Sequence, residues 1–171
     1  SDTRHRLLQI TRREMLALLL VLAFAFGVRA WHLATSLHVS IDEYNFVSDM
    51  ELFWDAPNVR LLEPMTGIVP FTRVHTYWSS WSVELLGRNW AGLRGASVVI
   101  GTLTVAGVWL LARNAFDRMT GIIAALILAA FPPHIHFSRL VLNNITDPLF
   151  GVVAFGFAAR GLRSGTRLDY A

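Results

Sequence analysis

Apolar residues in this chain fall into long blocks separated by polar islands. The first block covers residues 15–33 and carries one charge, Arg29, near its far end. A hydrocarbon core takes about 20 residues to cross, so the block is long enough to span one. It could also be a signal peptide, given its basic flank, but no convincing small-x-small cleavage site follows and it is read as a span. Residues 95–112 form a block with no charge at all, residues 119–135 form another that ends at Pro132-Pro133, and a fourth begins near Leu140 or Pro148 and ends at Ala159. The pattern predicts four transmembrane helices, at about 14–34, 93–113, 118–136 and 141–160. The fold class expected is all-α, a polytopic membrane protein.

Between the first two spans lies a loop of about residues 36–90, longer than a simple connection needs to be. Two surface helices are expected in it. Ser40-Ile41-Asp42-Glu43 fits a capping box, in which the serine accepts from the backbone of the third helical residue and Glu43 reaches back. Beyond it Ile41, Tyr44, Val47, Met50 and Trp54 recur at helical spacing, and Val74, Tyr77, Trp78, Trp81 and Leu85 make a second stripe that stops at Gly87. The aromatic content of that second stripe suits a helix lying among lipid headgroups. Residues 64–70 between them read as a turn-rich connector.

Composition agrees with a membrane protein: 54% of residues are hydrophobic and 16% charged. All 15 cationic residues are arginine, whose fixed charge and planar fork suit carboxylate and phosphate. With the amino terminus inside, Arg4, Arg6, Arg12, Arg13, Arg113, Arg118, Arg160, Arg163 and Arg167 all fall on the cytoplasmic side, as the positive-inside rule requires. Both termini are then cytoplasmic in a cell-membrane protein, and the 36–90 loop, with seven acids, is extracytoplasmic. The absence of cysteine excludes disulfides, thiolate metal sites and a cysteine nucleophile. No phosphate-binding glycine loop, serine triad or nucleic-acid motif is present.

Two polar islands carry candidate chemistry. Asp42 and Glu43 are adjacent, so on a helix they point about 100° apart and cannot both face one substrate atom. The capping box occupies Glu43 and leaves Asp42 available at the membrane boundary; alternatively both acids only complement the helix dipole. The second island, residues 137–148, mixes Arg139 with Asn144 and Asp147 where lipid would be expected. Asn144 and Asp147 share a face if the segment is helical throughout, whereas Asp147 is an N-cap and Pro148 the first helical residue if the helix starts later. Arg139 either snorkels or binds a phosphate. His134 and His136 are spaced like two metal ligands on an extended segment, with no third ligand fixed, so a divalent metal is an open expectation. Arg29 is expected to pair with a loop carboxylate.

Taken in order, these features resemble the amino-terminal part of GT-C glycosyltransferases of the dolichyl-phosphate-mannose protein mannosyltransferase type, the group that includes the aminoarabinose lipid A transferases. The resemblance rests on Arg29 at the end of the first span, the Asp42-Glu43 pair, a long loop with surface helices, Leu86-Gly87 and Leu93-Arg94 leading into residues 101–105, and Pro132 followed by Phe137-Ser138-Arg139. It implies transfer of a sugar, with inversion, from a polyprenyl-phosphate donor to a protein, lipid or glycan acceptor at the extracytoplasmic face. It also implies Asp42 and Glu43 as the catalytic acids and Arg139, with His136, Asn144 and Asp147, around the donor phosphate. Where such enzymes often have a second acid five residues after the arginine, this chain has Asn144. The family's enzymes have more spans, so residues 1–171 are expected to be an amino-terminal transmembrane part of a longer enzyme. The alternative is a non-catalytic multi-pass subunit that packs against other membrane subunits.

Overall fold

The computed structural model describes residues 10–35, 41–55 and 73–164, with side chains described except at 51–55 and 163–164. Among these residues all regular structure is helical: α1 (Arg12–Ala30), α2 (Ile41–Asp55), α3 (Val74–Leu86), α4 (Trp90–Ala115), α5 (Arg118–Ala130), α6 (Pro132–Phe137), a 3₁₀ turn (Asn143–Ile145) and α7 (Thr146–Ser164). Three of the starts have a side-chain cap. Thr11, Asn89 and Asp117 cap α1, α4 and α5 by accepting from the backbone of Glu14, Gly92 and Thr120. The capping box expected at Ser40 lies outside the described residues.

Helix α4 is the axis of the bundle, with α1, α5 and α7 packed along it and α3 folded back on its first half. Leu18, Val21 and Ala25 of α1 meet Val105 and Trp109 of α4 and Ala125 and Ala129 of α5 in one core. A second core joins Phe46 and Met50 of α2, Val83 of α3 and Val141. The α3–α4 corner is tight: a Cβ on Gly92 would lie 2.1 Å from the carbonyl oxygen of Gly87, so glycine is required there.

Polarity is reversed relative to a water-soluble bundle. Large apolar side chains such as Leu19, Leu20 and Phe24 of α1, Ile127 of α5 and Phe155 of α7 are exposed, while Glu14, Arg29, Glu43, Asp49, Arg94 and Arg113 are buried. Such a surface suits hydrocarbon. Trp90–Ala115 and Asn143–Leu162 are each long and apolar enough to cross a bilayer, and Arg118–Ala130 is apolar but shorter.

The third apolar block is not one helix to residue 136. It breaks at Phe131, because Pro132 and Pro133 have no N–H to give to the carbonyls of Leu128 and Ala129 four residues back. The expected stripes divide on the two loop helices: Met50 of the first is fully buried, and Val74, Tyr77 and Trp78 of the second are half-buried. On α2, Ile41 and Tyr44 are exposed, and Glu43, Phe46, Asp49 and Met50 face inward. On α3, Trp81 and Leu85 are exposed and His75, Thr76, Ser79, Ser80, Ser82 and Val83 are buried. Ion-paired acids and small polar residues share the inside with Phe46, Met50 and Val83, and other apolar side chains face out.

Candidate functional site

Polar side chains gather where α1 ends. After Ala30 the chain turns through His32, which at φ 49° is the one left-handed non-glycine residue among the described residues. The turn presents two carbonyls to arginines from elsewhere: Leu33 O accepts from Arg94 Nη1 at 3.1 Å, and Trp31 O accepts from Arg139 Nη2 at 2.6 Å.

Arg94, in the first turns of α4, is fully buried and grips Glu43 of α2 side-on, Nε to Oε1 and Nη2 to Oε2, both at 2.9 Å. Glu43 Oε1 also accepts from the backbone N–H of Val141 at 3.0 Å, and Trp90 lies 5.1 Å below the guanidinium. One ion pair therefore ties together α1, α2, α4 and the segment before α7. Both oxygens of Glu43 are thus engaged inside the protein. Asp42, its neighbour, is exposed on the other side of α2.

Arg29 is also fully buried, and the expectation of a carboxylate partner is overturned. Its guanidinium gives Nη1 to Ala25 O and Ala129 O at 2.9 and 3.2 Å, Nη2 to Leu128 O at 3.3 Å and His134 Nδ1 at 2.8 Å, and Nε to Ser138 Oγ at 3.3 Å. Pro132 and Pro133 withhold the donors that would reach Leu128 O and Ala129 O four residues back; Leu128 O takes the Phe131 N–H at 3.2 Å as well, and Ala129 O is met by Arg29. Arg29 supplies what Pro132 and Pro133 lack, and its charge complements the negative end of α5.

A guanidinium can only donate, so His134 must accept at Nδ1 and carry its proton on Nε2. His134 and His136 sit two apart on α6, a helix and not the extended segment expected, so their rings point about 200° apart and do not converge. His136 is exposed with its ring edge toward Phe137. Among the described residues no group of three or more His, Asp or Glu comes together as a metal site.

Arg139 is half-buried, and its pKa is lowered first by burial and then by the Arg94 charge. Asn144 and Asp147 are exposed at the junction of the 3₁₀ turn and α7. Asp147 lies within the first helical turn and does not cap it, since the helix starts at Thr146. The residues brought together are thus Arg29, Arg94, Arg139, Glu43, His134 and Ser138.

Beside this cluster an apolar cleft of about 640 Å³ opens between α1, α3, α4 and α7, lined by residues including Phe26, Leu33, Trp78, Trp81, Val99 and Leu149. Leu33 belongs to both: its carbonyl holds Arg94 and its side chain lines the cleft. The arrangement can seat a molecule with an anionic head and an apolar tail. Sequence reading missed Ser138 and the cleft. The Pro-Pro step was the available signal for Arg29, since it withholds two backbone donors at a span end.

The sequence profile of the dolichyl-phosphate-mannose-protein mannosyltransferase family matches residues 72–170, more than half of the chain. That stretch contains Arg94, His134, Ser138 and Arg139 and leaves out Arg29, Asp42 and Glu43. No curated protein and no solved structure matches the chain.

Proposed function

Because the chain belongs to the dolichyl-phosphate-mannose-protein mannosyltransferase family, membrane glycosyltransferases of the GT-C type, we propose that it transfers a sugar, with inversion, from a polyprenyl-phosphate donor to a hydroxyl of a protein, lipid or glycan acceptor. The observation that carries this reading is the contiguity of the arginine cluster with the apolar cleft through Leu33. A phosphate fits the first and a prenyl chain the second.

In this reading the acceptor oxygen attacks the anomeric carbon as the bond from that carbon to the phosphate oxygen breaks, and the prenyl phosphate leaves with the bonding electrons. Charge grows on the leaving phosphate, and Arg139 is the group that meets it. Its fork gives two parallel donors and gains strength as that charge develops. His136, Asn144 and Asp147 flank the same entrance. Asp42, on the exposed side of α2, takes or orients the acceptor proton, while Glu43 holds Arg94 in place.

The arginine distribution supports four crossings, made by α1, α4, α5 with α6, and α7, with both termini cytoplasmic and α2 and α3 on the extracytoplasmic side. Helix α5 alone rises about 20 Å, less than a bilayer core, and α6 continues it past the break.

The test is binding and turnover with short-chain prenyl-phosphate sugars, mannose first, by the purified protein in lipid nanodiscs. Arg139→Lys keeps the charge and loses the bidentate fork, so donor affinity is expected to fall about tenfold or more. Unchanged donor affinity in Arg139→Lys would remove the phosphate from this residue and leave Arg139 a support for the Trp31 turn.

A further inference from the structure

Arg29 has no part in the chemistry proposed above, yet it is wholly buried and makes five hydrogen bonds. Two of those bonds go to the carbonyls opposite Pro132 and Pro133: Ala129 O, and Leu128 O, which also accepts from Phe131 N–H. Two others, to His134 and Ser138, hold the short turn that follows the prolines. Ser138 is next in sequence to Arg139, and Arg139 reaches back to Trp31 O, two residues beyond Arg29. The end of α1 and residues 138–139 are thus clasped at two points, one donor from each side.

The turn also has little room to slide. A Cβ on Gly101 of α4 would lie 2.2 Å from Ser138 Oγ and 3.4 Å from Arg29 Nε, so Ser138 rests directly on the α4 backbone. The position of Arg139 is fixed from α1, α4 and the α5 end together.

We propose that Arg29 is a positioning residue for donor binding: by bonding the Leu128 and Ala129 carbonyls together with His134 and Ser138, it sets the place at which Arg139 meets the donor phosphate. This rests on the reading that Arg139 receives that phosphate. A lysine at position 29 keeps the buried charge, but a single ammonium has three donors at one point and cannot reach the two carbonyls, the imidazole and the hydroxyl at once. The turn then loses its register while the charge stays.

The experiment compares Arg29→Lys, Gly101→Ala and Arg139→Lys with the parent protein in lipid nanodiscs. It measures the Kd of a short-chain prenyl phosphate, the KM of the acceptor and the melting temperature. Arg29→Lys is expected to weaken prenyl phosphate binding about tenfold, the cost of one lost charge-assisted contact, and to leave acceptor KM unchanged. Gly101→Ala, which displaces Ser138 with Arg29 intact, is expected to move the same Kd in the same direction. Parent-like prenyl phosphate binding in Arg29→Lys overturns the proposal, and so does a change in which donor Kd, acceptor KM and melting temperature all worsen together, since that marks a general structural role. The Arg139→Lys arm separates the two levels: if it leaves binding unchanged, the reading of Arg139 fails, and if it weakens binding while Arg29→Lys does not, only the role of Arg29 fails.

Discussion

Arg94 and Arg29 lie at the same end of the bundle, are equally inaccessible, and are held by different means. Arg94 meets the Glu43 carboxylate through two 2.9 Å hydrogen bonds, so the charges cancel where they are buried. Arg29 meets three carbonyls, a hydroxyl and an imidazole nitrogen, none of them charged. The Arg94 region is a staple between elements distant in sequence; the Arg29 region is a helix end completed by a side chain. The consequence is electrostatic. With Glu43 spent on Arg94, the positive charge of Arg29 is offset only by dipoles, and Arg139 stands close enough to Arg94 to have its pKa lowered.

The largest effect expected is from splitting the charged pair. Arg94→Met leaves the Glu43 carboxylate buried against a methionine, and removing one partner of a buried pair costs about 3–5 kcal/mol. The double change Arg94→Met with Glu43→Leu should recover most of that loss in a thermal or denaturant titration. Arg29→Met leaves only neutral acceptors behind and is expected to cost less, about 1–3 kcal/mol. Equal losses at the two sites would break the distinction between them.

A smaller effect concerns His75, buried on α3 with Nε2 3.5 Å from Ser97 Oγ and its ring edge against Phe46. Burial lowers its pKa from 6.5 to about 4, so the folded protein binds this proton less readily than the unfolded chain. Stability is therefore whole above the unfolded value and falls as pH drops from about 6.5 toward 4, by up to roughly 3 kcal/mol. His75→Gln should flatten that slope in melting curves between pH 7 and pH 4, and an unchanged slope would place its origin elsewhere.

Much of the helical order was legible because apolar blocks and caps are local signals. Residues 95–112 read as a span and lie within α4, and of the stripe of α3 that read as facing a membrane interface Trp81 and Leu85 are exposed. What was not legible was which face of α2 and α3 turns inward. In lipid the apolar stripe does not mark the core, and the inward face is chosen by partners far away in sequence, such as Arg94 for Glu43 and Arg73 for Asp49, the latter at 3.0 Å. The same holds for Arg29. A span-end arginine suggested an acid partner, but its acceptors are the carbonyls a Pro-Pro step exposes, and pairing them with position 29 requires the packing of α1 on α5. Asp42, Arg139, Asn144 and Asp147 could be named as candidates from sequence, as could an occupied Glu43 beside an available Asp42; that Arg94 and the Val141 N–H occupy Glu43 could be seen only in three dimensions.

The division of labour within the acidic pair is the most direct test of the account. Asp42→Asn and Glu43→Gln are compared for sugar transfer from a prenyl-phosphate donor in nanodiscs, with melting temperature measured on the same samples. The account predicts that Asp42→Asn lowers turnover by ~10² to 10⁴, the usual worth of a general base, at unchanged melting temperature. It predicts that Glu43→Gln lowers the melting temperature instead, because Arg94 loses its counter-charge. Near-normal turnover in Asp42→Asn together with abolished turnover in a stably folded Glu43→Gln would contradict it.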